Sequence, residues 1–190
     1  MQLRHTLPAR IFHWTLAPLA IVLVVSGFYI TNPPKTSGRM RTVRQIHSLA
    51  GFLFTFGFIA RVYYGILRRD WRMIVPERHD RKKLLPFLRY ELFLTPQKPK
   101  FRKYNIAQKL LYTFWPLEAL VILPLGFFLY APKFFARPIK WLGGLNQVRN
   151  LVYYTALLSA ASIAGHIYSN LTDSVGKLKS IFTGYYQRGT

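Results

Sequence analysis

Residues 11–31 read IFHWTLAPLAIVLVVSGFYIT and contain no Lys, Arg, Asp or Glu. A helix of about 20 apolar residues, rising ~1.5 Å per residue, crosses the ~30 Å of hydrocarbon in a bilayer. The stretch is too long for the core of a signal peptide, and no small-residue cleavage site follows it, because Asn32, Pro33 and Pro34 come next. We interpret it as a retained membrane helix.

Three further stretches have the same length and character. They are residues 45–66, with the single charge Arg61, residues 110–130, with Glu118, and residues 151–171. The pattern predicts an all-α fold, an integral membrane four-helix bundle in which residues 1–190 form one membrane domain. A long basic loop, residues 67–109, would join the second span to the third.

The composition supports this prediction and excludes other classes. The chain has 190 residues, is 51% hydrophobic and carries a formal charge of +21. The basic residues and the apolar residues occupy separate segments, whereas a nucleic-acid-binding domain mixes them, so we expect no nucleic-acid partner. The chain has no cysteine, which excludes cysteine-ligated iron–sulfur clusters and covalent c-type haem.

The distribution of Lys and Arg predicts the orientation of the spans. The two termini and the second loop together carry 18 basic residues, and the first and third loops together carry 8. Because cytoplasmic segments are enriched in Lys and Arg, both termini are predicted to be cytoplasmic. The second loop holds thirteen of these residues, between Arg68 and Lys109. It has two compatible interpretations, an interfacial helix held by anionic membrane lipid or a docking platform for a soluble subunit.

Two histidines fall at matched depth in different spans. His13 lies near the cytoplasmic start of the first span, and His166 lies five residues before the cytoplasmic end of the fourth. Intramembrane ionisable residues are costly and mark function, and facing helices of a bundle build cofactor sites. We expect the pair to supply both axial ligands of one haem iron. The alternative is that each histidine is only a hydrogen-bonding bridge between helices.

The neighbours of this pair fit a haem site. Gly165 lies beside His166, and its small size would leave room for a macrocycle. Arg10 and Arg61 are predicted at the same cytoplasmic level, where their guanidinium groups could pair with haem propionates.

The remaining intramembrane candidates are His47 and Glu118. His47 opens the second span and therefore belongs to the opposite leaflet, beyond the reach of the iron held by His13 and His166. The facing position in the fourth span is Val152, so His47 is either a quinone-site residue, a ligand without an evident partner, or a structural bridge. Glu118 could anchor Arg61 or handle protons beside a quinone pocket.

At this point a family becomes recognisable in the order of several short motifs. They are RHTLPARIFHW at 4–14, VRQIHSLAGFLF at 43–54, ARVYYGI at 60–66, YELFL at 90–94, YNIAQK at 104–109 and GHIY at 165–168. The chain resembles the cytochrome b subunits of membrane formate dehydrogenases, nickel–iron hydrogenases and thiosulfate reductases, within the cytochrome b561-like superfamily. The resemblance covers nearly the whole chain.

That resemblance implies two b haems, one in each leaflet. It assigns His13 and His166 to the cytoplasmic haem and His47 to the outer one, whose second ligand would fall at Val152, with Tyr153 where another histidine often follows. Since neither position is histidine, we expect one haem b on the cytoplasmic side, with two as the alternative. The loop motif is also KYN here, where the family usually has GHN.

The resemblance further implies electron transfer between an iron–sulfur partner subunit and quinone, in a bacterial or archaeal cytoplasmic membrane. We expect the iron–sulfur and catalytic subunits to dock on the cytoplasmic face, over the basic loop, because a single inner haem could not relay electrons from outside. The chain itself would carry no catalytic residue. The alternatives are a stand-alone small cytochrome b561 and a haem-free membrane anchor.

Overall fold

The computed structural model describes residues 2–34, 38–97, 99–101 and 103–186, and these are mainly helical. The elements in chain order are β1 (Gln2–Leu3), α1 (Leu7–Thr31), α2 (Met40–Arg68), α3 (Trp71–Ile74), α4 (Arg78–Lys82), α5 (Leu84–Glu91), α6 (Ile106–Tyr130), α7 (Ala136–Trp141), α8 (Leu145–Asp173), α9 (Val175–Thr183) and β2 (Tyr185–Tyr186).

The four predicted spans are confirmed as the four helices that are long and apolar enough to cross a membrane, namely α1, α2, α6 and α8. Each of them begins four to six residues before the predicted start, and α2 and α8 also end two residues later. The reason is that hydropathy marks only the part of a helix that lies in hydrocarbon, whereas backbone hydrogen bonding continues through the polar residues of the interface.

The chain divides into two compact units, Met1–Val62 with Glu118–Thr190, and Tyr63–Leu117. In the first unit, side-chain contacts join α1 to α2, α2 to α6, α6 to α8 and α8 back to α1. The contacting pairs, in that order, are Ser26 with His47, Phe52 with Phe127, Glu118 with Ser159, and Phe28 with Tyr153. The four spans therefore close into a ring of neighbours, as in a four-helix bundle.

A small apolar cluster packs one end of this unit. Leu125 of α6, Ile139 of α7 and Val148 of α8 are buried together, and Val152 packs against them. Many of the other large apolar side chains on the four spans are exposed. Such exposure would be costly in water, but it is the expected surface of a helix that faces lipid.

The two ends of the chain meet in the first unit. β1 pairs antiparallel with β2, and the backbone N–H groups of Arg4 and His5 donate to the carbonyl of Gly184. Gly184 ends α9 with a φ of 87°, and a Cβ there would lie 2.9 Å from the carbonyl oxygen of His5, so the approach requires glycine. Both termini lie together, as an even number of spans demands; that this side is cytoplasmic stays a prediction.

The second unit is built around a buried ion pair. Lys109, on the first turn of α6, donates to Asp80 of α4 at 2.7 Å, and the Asp80 side chain also accepts from the backbone N–H of Glu77 at 2.9 Å. Burial by itself would raise the pKa of Asp80, but the hydrogen bonds from Lys109 and Glu77 and the charge of Lys109 outweigh it and hold that pKa below its ordinary value. The pair fastens the loop to the beginning of the third span.

Candidate haem site

His13 lies on α1, two turns after its start. Its Nδ1 atom is buried, and within the described ranges it has no hydrogen-bond partner. A buried polar atom without a partner costs free energy, so such a group in a native protein calls for a ligand, an ion or water. The neighbouring side chains hold this turn of α1 against α9, since Trp14 Nε1 donates to the carbonyl of Ile181 at 3.3 Å.

His166 lies on α8, which contacts α1. Asn170, one turn later, donates to the carbonyl of His166 at 2.7 Å, and its amide nitrogen also lies 3.2 Å from Nδ1 and 3.3 Å from Nε2 of the same ring. The Asn170 amide therefore lies against the edge of the imidazole and restricts its rotation.

His13 and His166 lie on two helices, α1 and α8, that contact each other. Beside His166, a Cβ on Gly165 would meet no atom within 4 Å, so α8 leaves open space there. In the described part of the chain no three His, Cys, Asp or Glu side chains gather into a metal site. Two histidines on neighbouring membrane helices, one of them with an unsatisfied buried nitrogen, fit the axial ligation of a haem.

The two arginines expected near the propionates have protein contacts. Arg10 Nη1 donates to the carbonyl of Phe182, which ties α1 to α9. The guanidinium of Arg61 lies 6.0 Å from the ring centroid of Phe12, in the range of a cation–π contact. Phe12 is the residue before His13, so Arg61 of α2 is on the same level as the candidate ligand.

His47 is placed at the far end of α1 from His13. Its Nδ1 lies 2.8 Å from Oγ of Ser26, and Ser26 is buried. Ser26 follows His13 by thirteen residues, which is ~20 Å of helix at ~1.5 Å per residue. A Cβ on Gly27 would lie 3.4 Å from Cε1 of His47, so the ring packs closely on α1. His47 and His13 therefore belong to different levels of the bundle.

The positions facing this outer level hold no second histidine. Val152 packs in the apolar cluster of α6, α7 and α8. The ring of Tyr153 meets that of Phe28 edge to face, with centroids 6.1 Å apart. Aromatic and aliphatic side chains thus fill the α1–α8 contact at the level where a second ligand would be needed.

Glu118 lies at the middle of α6 and contacts α8. Oγ of Ser159 donates to its Oε1 at 2.8 Å, and the same hydroxyl lies 3.1 Å from the carbonyl of Thr155. Glu118 therefore has a hydroxyl group of the next helix as a hydrogen-bond partner. Ser162, one turn after Ser159, continues this polar line along α8 toward His166.

Sequence reasoning missed several of these partners. Asn170 and Ser159 carry a usable signal, because they fall four residues after His166 and seven before it and so share its helix face. Ser26 and α9 had no such signal, since their positions opposite His47 and His13 depend on how α1 meets α2 and the C-terminal segment.

Four helices of membrane-spanning length, with one histidine on each of two contacting helices, are the arrangement expected of a membrane cytochrome b. Comparison with known proteins agrees, because the family model described as prokaryotic cytochrome b561 matches residues 4–184. The chain belongs to that family, whose b-type character implies haem b.

Curated relatives are similar over most of the chain. A probable Ni/Fe-hydrogenase B-type cytochrome subunit of Cupriavidus necator is 22% identical, over 92% of this chain and 80% of the relative. A probable Ni/Fe-hydrogenase 1 B-type cytochrome subunit of Escherichia coli K12 is 27% identical, over 88% and 81%. A formate dehydrogenase cytochrome b556 subunit of Haemophilus influenzae is 29% identical, over 63% of this chain and 50% of the relative.

Proposed function

We propose that the chain is the membrane cytochrome b subunit of a multisubunit oxidoreductase, holds one b haem between His13 and His166, and passes electrons between an iron–sulfur partner and the quinone pool. The observation that supports the proposal is the contact between α1 and α8, the helices that carry these two histidines, together with the buried and unpartnered Nδ1 of His13. Haem iron bound there would carry one electron at a time between its ferric and ferrous forms.

The protein contributes ligation, orientation and a dry surrounding. His13 and His166 would hold the iron, and Asn170 restricts rotation of the second imidazole. Arg61 and Arg10 lie on the level of His13 and bring positive charge toward the propionates. Gly165 keeps the space beside His166 open.

A single haem is supported by the contacts at the outer level. Val152 is part of an apolar cluster, and Tyr153 packs on Phe28. A second macrocycle between α2 and α8 would have to displace these contacts and would still lack a histidine on α8 at that level.

The quinone end of the relay is assigned to the polar group between α6 and α8. Quinone reduction consumes protons, and a carboxyl group can supply them only if it is held inside the bilayer beside the reaction site. Glu118, bonded to Ser159, meets that condition. His47 is the second candidate, but its hydrogen bond to Ser26 favours a bridging role between α1 and α2.

The names of the relatives support a catalytic partner of the hydrogenase or formate dehydrogenase type. We assign its docking face to the cytoplasm, because the thirteen basic residues of the second loop lie on the side predicted to be cytoplasmic. An iron–sulfur subunit found bound on the opposite face would contradict this part of the proposal.

Optical spectra of three purified variants test the haem site. His13→Ala and His166→Ala should each abolish the reduced b-type α-band, because one imidazole cannot hold the iron in six-coordinate form. His47→Ala is the matched control, an intramembrane histidine at the other level, and should keep the band. Retained helical circular dichroism shows that each variant is folded.

The opposite pattern would refute the assignment. Loss of the band only in His47→Ala would move the haem to the outer level, and loss of half the haem would indicate two haems. A wild-type chain with no b-type band would leave the haem-free anchor. Quinol oxidation by the purified chain without any partner would favour the stand-alone cytochrome b561.

A further inference from the structure

Helix α5 of the second loop has an exposed apolar face. Four exposed leucines lie on this face, within an arc of about 100° around the helix axis. They are Leu84, Leu85, Leu88 and Leu92. The opposite side of the helix is fastened inward, since Phe87 is buried and its ring meets that of Phe101 at 5.6 Å. The packing of Phe87 therefore fixes which face points away from the protein.

The end of α5 adds an exposed aromatic ring to that face. The N–H of Leu94 donates to the carbonyl of Arg89 at 2.8 Å, and Phe93 has a φ of 59°. This is the hydrogen bond of a Schellman motif, whose left-handed residue is usually glycine because other side chains are strained there. Phe93 occupies the position instead, with 89% of its surface exposed. An exposed aromatic ring on a strained residue points to a role outside the protein's own packing.

The attachment of the loop sets its depth. Thr113 Oγ1 donates to the carbonyl of Ile74 at 3.2 Å, and Lys109 is bonded to Asp80. Lys109 and Thr113 belong to the first two turns of α6, the end at which this span leaves the hydrocarbon. The segment that leads into α5 therefore lies at the height of the membrane boundary and not far out in solvent.

The charge around the face fits a negatively charged surface. Residues 67–109 contain thirteen Lys and Arg but only four Asp and Glu. Arg81, Lys82 and Arg89 are exposed close to the leucines in sequence. An amphipathic helix with a leucine-rich face and a basic margin is the form that lies in the headgroup region of anionic membranes.

We infer that residues 84–94 form an in-plane anchor. This anchor inserts the leucine face of α5 and the ring of Phe93 into the adjacent anionic leaflet of the membrane that the protein spans. Lipid is favoured over a soluble subunit because the segment is attached near the membrane end of α6 and the leucine face has a basic margin. The inference does not depend on the haem.

Site-directed spin labelling tests the anchor on the full chain, because the protein has no native cysteine. Single nitroxides are placed at Leu88→Cys and Phe93→Cys, with His79→Cys, an exposed position on α4, as the control. The protein is reconstituted in vesicles of phosphatidylcholine with an equal part of phosphatidylglycerol. Accessibility to oxygen, relative to a water-soluble nickel chelate, should be several-fold higher at positions 88 and 93 than at 79.

Equal ratios at the three positions would overturn the anchor. Shielding at 88 and 93 that develops only when a soluble subunit is added would overturn it in favour of protein docking. A charge-reversed background, Arg81→Glu with Lys82→Glu, should lower the ratio at position 88 in the anionic vesicles. An unchanged ratio there would refute the role assigned to anionic headgroups.

Discussion

At the scale of single residues, the ion pair of Asp80 and Lys109 stabilises the second loop. Their side chains are 6% and 10% exposed and lie 2.7 Å apart, while Glu77, 58% exposed, lies 3.7 Å from the same ammonium. Removing one member of a buried pair leaves an uncompensated charge, whereas an exposed partner adds little.

The change Lys109→Met should therefore lower the free energy of unfolding by about 3 kcal/mol. Glu77→Gln, the matched control that removes only the exposed carboxylate, should change it by less than ~1 kcal/mol. Chemical denaturation in detergent, followed by circular dichroism, measures both. Equal losses in the two variants would show that burial does not set the strength of this pair.

The same pair predicts a pH dependence. The pKa of Asp80 is lower in the folded protein than its ordinary value of 3.8, so its stabilisation is complete above that value. It is lost as the pH falls through the lower folded pKa, when the carboxyl group takes up a proton. Thermal midpoints should thus fall more steeply below pH 4 for the wild type than for Asp80→Asn. Parallel curves would contradict the assignment.

Gly165 gives a second prediction for a single residue. A Cβ there would meet no atom within 4 Å, so Gly165→Leu should leave the helical fold intact and should abolish haem uptake by filling the space beside His166. Gly126→Leu is the control, because a Cβ on this α6 glycine also meets nothing within 4 Å. Haem content per polypeptide and circular dichroism are measured together. Normal haem content in Gly165→Leu would place the macrocycle elsewhere.

At the scale of elements, the end of α2 is set by one strained residue. Arg68 is the last residue of the helix, and Arg69 follows with a φ of 53°, in the left-handed region. Residues other than glycine are strained in this conformation, because their Cβ crowds the carbonyl oxygen.

Arg69→Gly should relieve that strain and raise the free energy of unfolding by about 0.5–1 kcal/mol, after the larger unfolded-state entropy of glycine is subtracted. Arg68→Gly puts the same residue inside the helix and should lower stability by about 1 kcal/mol. The sign of the difference between the two variants is the test, and destabilisation by both would rule out strain at Arg69.

At the scale of the whole molecule, β1 and β2 hold the two ends of the chain on one side of the bundle, so labelling near one end reports the orientation of the protein in the membrane. Thr183 of α9 and Phe134 of the third loop are exposed. One span, α8, separates them along the chain, so they are expected on opposite sides of the membrane. If the excess of basic residues sets the orientation, an impermeant maleimide should label Phe134→Cys in intact spheroplasts and should label Thr183→Cys only after lysis. The reverse labelling would place the basic loop outside.

The fold was predictable to the extent that it depends on local hydrophobicity. Four apolar stretches of spanning length predict α1, α2, α6 and α8 without any knowledge of their packing, because lipid replaces a tertiary core as their apolar surrounding. The number and bounds of the short helices α3–α5 and the pairing of β1 with β2 were not predictable, since contacts distant in sequence hold them, such as Lys109 with Asp80 and Arg4 with Gly184.

The candidate site also has one part that the sequence predicted and another that only the tertiary structure decided. The sequence by itself determined the four spans. It also predicted that His13 and His166 lie at the same depth and that no histidine lies opposite His47, because depth follows from position along a helix of fixed rise. Only the tertiary structure decided that Ser26 binds His47, that Ser159 binds Glu118, and that Phe93 is held strained and exposed. Rotation of one helix against its neighbour chooses among several polar partners at the same depth, and the sequence of a single helix does not specify that rotation.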